Sequence, residues 1–226
     1  MQEDRSGQDR RDRDRADRLV RCYSGAVYDA MRELGLPPSV LPSTIRPMDP
    51  TKALAGPVWT CEGRVDPGAD AEASLLGWTR LLSAAPGGSV VVCQPNDSTI
   101  AHMGELSAEA LMIRGVAGYL VDGGCRDTDL IVRRGFPVFA RYRTPADVVG
   151  RWMVKALGEP IEIGGVVIRT GDFLLADIDG AVVIPAASAD EVIGEAERLM
   201  NTESEMRKAI ISGMDPSEAY LRFGVF

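Results

Sequence analysis

The sequence predicts a mixed α/β domain, on three observations. Short β-branched runs such as Ser89-Val90-Val91-Val92-Cys93 read as buried strands. They alternate with amphipathic stretches such as Ala71–Ala84, where Leu75, Leu76, Leu81 and Leu82 recur at helical spacing. Late in the chain, two pairs of apolar triplets or quartets flank glycine-containing turns, the first of them, at Gly164-Gly165, a hairpin signal.

The elements follow in order. Residues 2–18 carry six arginines (Arg5, Arg10, Arg11, Arg13, Arg15, Arg18) and six acids (Glu3, Asp4, Asp9, Asp12, Asp14, Asp17). Neutral overall and almost without apolar side chains, they read as a charged N-terminal extension, either a solvated helix or disordered. A single domain, 19–226, is expected after it. Leu19, Val20, Cys22, Tyr23, Val27, Met31 and Leu34 recur at helical spacing, and Gly35 ends that helix. Pro37–Pro50 is a proline-punctuated connection, and Gly56 opens a strand at Pro57–Cys61. After the helix at Ala71–Ala84, Pro86-Gly87-Gly88 turns into the strand at Ser89–Cys93. Ser107–Arg114 reads as a helix through Ala108, Leu111 and Met112, broken at Gly115–Gly118. Tyr119–Val121 is a short buried strand, Asp122-Gly123-Gly124 a turn, and Pro137–Ala140 another strand. Ile161–Ile163 and Val166–Ile168 flank Gly164-Gly165, the hairpin signal, and Phe173–Ala176 and Ala181–Ile184 flank Asp177–Gly180, another turn. A long charged helix, Ser188–Ile211, and a short one opened by Pro216 close the chain.

Composition excludes several function classes. At 226 residues one compact domain suffices. A formal net charge of −8 argues against nucleic acid and against an anionic membrane surface as partners. No apolar run approaches the roughly 18–20 residues of a membrane span, and the N-terminal QEDRSGQDRR has no apolar signal core. The four cysteines (Cys22, Cys61, Cys93, Cys125) form no CxxC pair and read as reduced thiols of a cytoplasmic protein. With a single histidine, His102, they lack the spacing of a zinc site.

The segment Gly104–Asp129 carries the chemistry. Glu105 opens one helix and Arg126-Asp127 follows the next strand, with twenty residues between Glu105 and Arg126. A polar cluster just past a buried strand is where open α/β sheets place ligands. Arg126 offers a planar fork for a carboxylate. Asp127 suits Mg²⁺ or Mn²⁺, hard cations that take few protein carboxylates and keep several waters. Glu105 is placed to hydrogen-bond such a water and act in proton transfer. The amides of Glu105 and Leu106, at a helix start after Gly104, suit an anionic group. Together these features fit a 2-oxo acid. The same residues also read as a surface Arg-Asp pair with Asp127 or Asp129 as a helix cap. His102 reads as substrate-facing or structural, Cys125 as packing, and Asp122 as a turn residue. Asp177 and Asp179 lie in a turn that lacks the rest of a calcium loop.

Gly104-Glu105-Leu106, Arg114–Gly118, Val121–Gly123 and Arg126-Asp127 together resemble the RraA-like family. Its members include the 4-hydroxy-4-methyl-2-oxoglutarate / 4-carboxy-4-hydroxy-2-oxoadipate aldolases. The likeness extends to Ser24–Met31, Ala55-Gly56-Pro57, Gly135–Phe139, Thr144-Pro145 and Ala176–Pro185. It implies a swivelling β/β/α three-layer core with mixed sheets, assembled as homotrimers or homohexamers with sites between subunits. It further implies a class II, metal-dependent aldolase that cleaves a 4-hydroxy-2-oxo dicarboxylic acid and releases pyruvate, with oxaloacetate decarboxylation as a side activity. Under this resemblance Arg126 matches the arginine that binds the pyruvate carboxylate, Asp127 the aspartate that holds Mg²⁺ or Mn²⁺, and Glu105 the acidic residue. The amides of Glu105 and Leu106 match the family's helix-start donors. Two departures touch the distal half of the substrate: Leu130 stands where the aldolases usually have an acid, and Gln94–Ser98 replaces a glycine-rich stretch. The family also contains regulators that bind a ribonuclease and tend to lose the metal aspartate. The presence of Asp127 favours the enzyme over that alternative, and a same-scaffold lyase with a different 2-oxo acid substrate is the other.

Overall fold

The computed structural model describes residues 2–37 and 39–224. Pro38, in the proline-punctuated connection, and the last two residues of the expected 19–226 domain lie outside the described residues. In chain order the elements are α1 (Gln2–Leu19), α2 (Ser24–Glu33), β1 (Arg46–Pro47), β2 (Leu54–Val65), α3 (Ala71–Ala84), β3 (Val90–Gln94), α4 (Glu105–Ile113), β4 (Gly118–Val121), β5 (Gly124–Cys125), α5 (Thr128–Arg134), β6 (Val138–Ala140), β7 (Tyr142–Arg143), β8 (Trp152–Leu157), β9 (Ile161–Ile163), β10 (Val166–Ile168), β11 (Phe173–Ala176), β12 (Ala181–Ile184), α6 (Ala189–Ile211) and α7 (Pro216–Phe223).

One eight-stranded mixed sheet organises the chain, in the order β1-β6-β4-β3-β2-β11-β12, with β8 paired to β2. The four strands β2, β3, β4 and β6 are parallel, and β1, β8, β11 and β12 add antiparallel pairings. Parallel neighbours need a crossover, and α3, α4 and α5 supply it in turn. The β-branched run of β3 is buried on both faces, as a central parallel strand must be. Val91 and Cys93 face a core shared with Trp78, Leu81, Leu111 and Ile131 of the crossover helices. Val90 and Val92 face a second core, closed by Ile161, Ile163 and Ile168 of the β9–β10 hairpin. The result is three layers, helices, sheet and hairpin, as the resemblance implies. A third cluster seats α2 and α6 on β11 and β12 through Phe173, Leu175, Val182 and Ile184.

Several boundaries differ from those expected. The helix expected across Leu19–Leu34 is divided: Leu19 ends α1 and α2 begins at Ser24. Strand β2 is longer than Pro57–Cys61 because it has three partners: β11 along 54–57, β3 along 58–62 and β8 along 61–65. β8 itself is an addition. Its anchor, Trp152, lies so close to Gly63 that a Cβ there would sit 1.9 Å from the ring, so the bulge at Glu62/Gly63 requires glycine.

The N-terminal segment forms α1, which runs along β2 and α6. Arg15 grips Asp190 at 2.8 and 2.5 Å, and Arg18 grips Glu197 at 2.9 and 2.7 Å, both bidentate. Between α1 and the starts of β2 and β3 lies a groove of about 740 Å³, lined by Asp9, Arg13, Asp17, Pro57, Trp59 and Gly88 among others. Among the described residues no helix is long and apolar enough to cross a membrane.

Candidate functional site

The C-terminal ends of β3 and β4 meet the starts of α4 and α5, the edge where parallel sheets gather polar groups. After β3 the chain loops through Gln94–Gly104 and enters α4 with Gly104 as its N-cap. After β4 it turns through Asp122-Gly123 into β5, and Arg126-Asp127 leads into α5. The amide of Arg126 donates to the carbonyl of Met103 at 2.9 Å, which ties the two loops together.

Three predicted residues converge here. Oδ2 of Asp127 accepts from the Glu105 amide at 3.2 Å and lies 3.5 Å from Nε of Arg126. Asp127 adopts φ 54°, ψ 31°, a left-handed conformation that costs about 1–2 kcal/mol in a residue with a Cβ. Such strain persists where the surroundings over-determine it, and here that aims the carboxylate back at α4. Gly104 completes the fit, since a Cβ on it would stand 2.8 Å from Asp127 Oδ2 and 3.2 Å from Arg126 Nε. Helix polarity leaves the amides of Leu106 and Ser107, in the first turn of α4, without an intrahelical acceptor.

The side chain of Glu105 goes elsewhere. Its carboxylate accepts from Arg134 at 2.9 Å, and Arg134 also pairs with Glu109 at 2.7 Å. Glu105 therefore meets Asp127 through its backbone, while Gly104, Leu106, Arg126 and Asp127 all line a cavity of about 350 Å³. Sequence reasoning missed Asp147. It lines the same cavity, and its Oδ2 accepts from Arg126 Nη1 at 3.2 Å. The only linear signal was its place just after Thr144-Pro145. The cavity's remaining wall comes from α3 and the 148–149 loop, with Leu75, Trp78, Leu82, Val148 and Val149. Trp78 is fixed there by a 2.9 Å hydrogen bond from Nε1 to Ser107 Oγ.

His102 lines the same cavity but is fully buried, and neither ring nitrogen has a hydrogen-bond partner among the described residues. Burial pulls its pKa down to about 4, against a weaker upward pull from Asp97. The imidazole is thus neutral at pH 7, so its 3.7 Å approach to Asp97 Oδ2 is not an ion pair. Burial alone would raise the Asp97 carboxyl, but the amides of Ile100 and Thr99 outweigh it and hold it below its usual range. Cys125 is buried, and burial pushes its thiol up to about 11, the behaviour of a packing residue rather than a reactive one. Asp177 is spent on the start of α2, accepting from the Ser24 amide and hydroxyl at 2.7 and 2.8 Å.

A divalent metal was expected at Asp127. Among the described residues no group of three or more His, Cys, Asp or Glu side chains could hold an ion, so a cage of protein ligands does not fit. A hard cation that keeps most of its water does fit, because both contacts of the Asp127 carboxylate use Oδ2.

The chain is similar to proteins of known family. The RraA-like model, described as Aldolase/RraA, matches residues 24–183. A protein of Halalkalibacterium halodurans named "putative 4-hydroxy-4-methyl-2-oxoglutarate aldolase" is 29% identical over 181 residues, covering 80% of this chain and 83% of the relative. A solved structure of an uncharacterized protein from Pseudomonas syringae pv. tomato superposes with a TM-score of 0.82 at 26% identity, covering 92% of this chain and 93% of that one. Streptomyces coelicolor RraAS2, described as an unusual member of the RNase ES inhibitor RraA protein family, superposes with a TM-score of 0.74 at 27% identity, over 86% and 96% of the two chains. With a mixed α/β fold shared with these structures and a family match spanning most of its length, the chain belongs to the RraA-like (Aldolase/RraA) family.

Proposed function

We propose that the chain is a lyase that cleaves a 4-hydroxy-2-oxo acid to pyruvate and a carbonyl compound, and that oxaloacetate loses CO₂ at the same site. The observation that carries this reading is the convergence of Arg126, strained Asp127 and the open amides of α4 on one cavity. The aldolase names of its relatives support the reaction class.

Arg126 orients the substrate carboxylate through its guanidinium, with the first-turn amides of α4 as further donors. Asp127, held by the Glu105 amide and Arg126, would hold Mg²⁺ or Mn²⁺. When bound, the cation supplies Lewis-acid stabilisation of the negative charge that develops on the keto oxygen. The C3–C4 bond breaks, its electron pair passes to C3, and the C4 hydroxyl gives up its proton as C4 becomes a carbonyl. C3 then takes a proton to give pyruvate. Asp147 lines the cavity, and its partner Arg126 turns to the substrate carboxylate on binding, so we assign Asp147 to accept the C4 hydroxyl proton. Glu105, predicted as the acid, is instead proposed as a positioning residue, because Arg134 holds its carboxylate away from the cavity lining.

Assembly into a homotrimer or homohexamer is part of this proposal; Leu106 and Ile113, 79% and 87% exposed on α4, give a second copy an apolar surface to cover. The ribonuclease-binding regulators tend to lose the metal aspartate, and the presence of Asp127 at the cavity weighs against that alternative. Asp127→Ala tests the proposal: Mg²⁺- or Mn²⁺-dependent pyruvate release should fall below detection with the far-UV circular dichroism unchanged. Turnover retained in that variant would sink the assignment.

A further inference from the structure

Arg126 and Asp147 meet across two loops whose backbones are fixed. The stem of Arg126 is pinned, since a Cβ on Gly104 would stand 3.3 Å from its Cγ and 3.2 Å from its Nε. Its terminal nitrogens are the part left to choose partners. Asp147 is held from both sides. The Ala101 amide donates to the carbonyl of Ala146 at 2.8 Å, and the Ser74 hydroxyl donates to the carbonyl of Val148 at 2.8 Å. Asp147 Oδ1 accepts from the Val149 amide at 3.3 Å, which leaves Oδ2 for Arg126. The contact is therefore built by the backbone of one chain and needs nothing from a neighbouring copy.

It is nonetheless a contact that another anion can displace. A single nitrogen, Nη1, donates to a single oxygen at 3.2 Å, and both side chains are 39% exposed. Ion pairs of that kind contribute little. A free carboxylate can instead take two parallel N–H groups of the guanidinium, in a shorter and stronger pairing. The exchange is one anion for another, so the loop charge stays balanced while Asp147 is set free. We infer that Asp147 is an internal stand-in for the substrate's carboxylate, an autoinhibitory contact that occupies Arg126 in the free protein and lowers its affinity for 2-oxo acids. The inference rests on the aldolase reading, in which Arg126 turns to the substrate, and adds an order to it. Asp147 becomes available for the C4 hydroxyl proton only after the carboxylate end is seated. A hydroxyketone without that carboxylate leaves the proton acceptor engaged.

The first test needs neither metal nor turnover. Pyruvate binding to the full chain is measured in EDTA by saturation-transfer NMR, wild type against Asp147→Asn, which keeps an oxygen for the Val149 amide. The variant should bind pyruvate about threefold to fivefold more tightly, the weight of a partly exposed ion pair. Binding that is equal, weaker or absent in the variant overturns the inference. Removing any nearby negative charge favours an anion, so the same substitution is also made on Arg126→Gln. There it should give no gain, whether binding is weak or below detection. An equal gain without Arg126 means plain repulsion and overturns the inference. With Mn²⁺ and 4-hydroxy-4-methyl-2-oxoglutarate, Asp147→Asn should lower KM together with kcat. A loss of kcat with KM unchanged or raised overturns the inference and leaves the aldolase reading standing. A wild-type chain that neither binds pyruvate nor turns over that acid or oxaloacetate overturns both.

Discussion

The two rims of the parallel strands make a telling contrast. The rim where β2 and β3 begin holds the larger space, a groove of about 740 Å³ beneath α1. The rim where β3 and β4 end holds about half that, 350 Å³. Yet the larger space is lined by α1 charges and sheet edge with no strained residue aimed into it. The smaller one gathers a left-handed aspartate, an arginine shared between two carboxylates and a buried histidine with no hydrogen-bond partner among the described residues. Volume therefore says little about function here. Convergence of groups whose placement costs free energy says more.

The contrast can be broken most sharply through pH. His102, on the site rim, has a folded pKa of about 4, well below its unfolded value near 6.5. Between these values the unfolded chain binds the extra proton, so stability falls as pH drops from about 6.5 to 4 and is full above that window. The group accounts for about 3 kcal/mol over the whole window, and Asp97 is the carboxylate that faces it. Thermal melts from pH 7 to 4 should show this loss, and His102→Phe should flatten the curve. A histidine variant with the wild-type pH dependence would place the instability elsewhere.

Gly104→Ala comes next. Its backbone, at φ −144° and ψ 175°, tolerates alanine, but the new Cβ would push Asp127 and Arg126 aside. Turnover should drop about 100-fold, the usual consequence of misplacing reacting groups by about 1 Å, with the Tm changed by only a few degrees. Near-normal kcat would mean that the site does not depend on this contact.

The smallest effect is expected on the other rim. Replacing Arg15 and Arg18 by glutamine removes two partly exposed ion pairs to α6. Each should contribute at most about 1 kcal/mol, less at high salt, with turnover unchanged. A large loss of turnover would show that the N-terminal rim takes part in the reaction.

The parts legible in the sequence are those whose signals are local. The core strand β3 and the helices α3 and α6 follow from runs and periodicities within single segments. β8 was not legible, because Trp152–Leu157 includes Lys155, is mostly half-buried and is set by Trp152 reaching Gly63. At the site, residue type and spacing brought Arg126 and Asp127 to α4. They could not foresee that Arg134 takes the Glu105 carboxylate, leaving the amide to meet Asp127. Nor does anything in a linear reading connect Asp147 with Arg126; that link exists only once the 144–149 loop folds back over the rim.

The long strand β2 has a consequence for the order of assembly. Its parallel partner β3, the further parallel strands β4 and β6 and the crossover helices occupy one continuous stretch with it, residues 54–140, made before β8, β11 and β12. Its antiparallel partners arrive late, β8 at 152–157 and β11 at 173–176. Until they do, Leu54, Val58, Val90, Val92 and Leu120 have no hairpin or closing strands over them. The nascent chain thus carries most of the candidate site's rim on a sheet whose opposite face is still bare and prone to self-association, the stage at which a chaperone or a slowed ribosome would matter most.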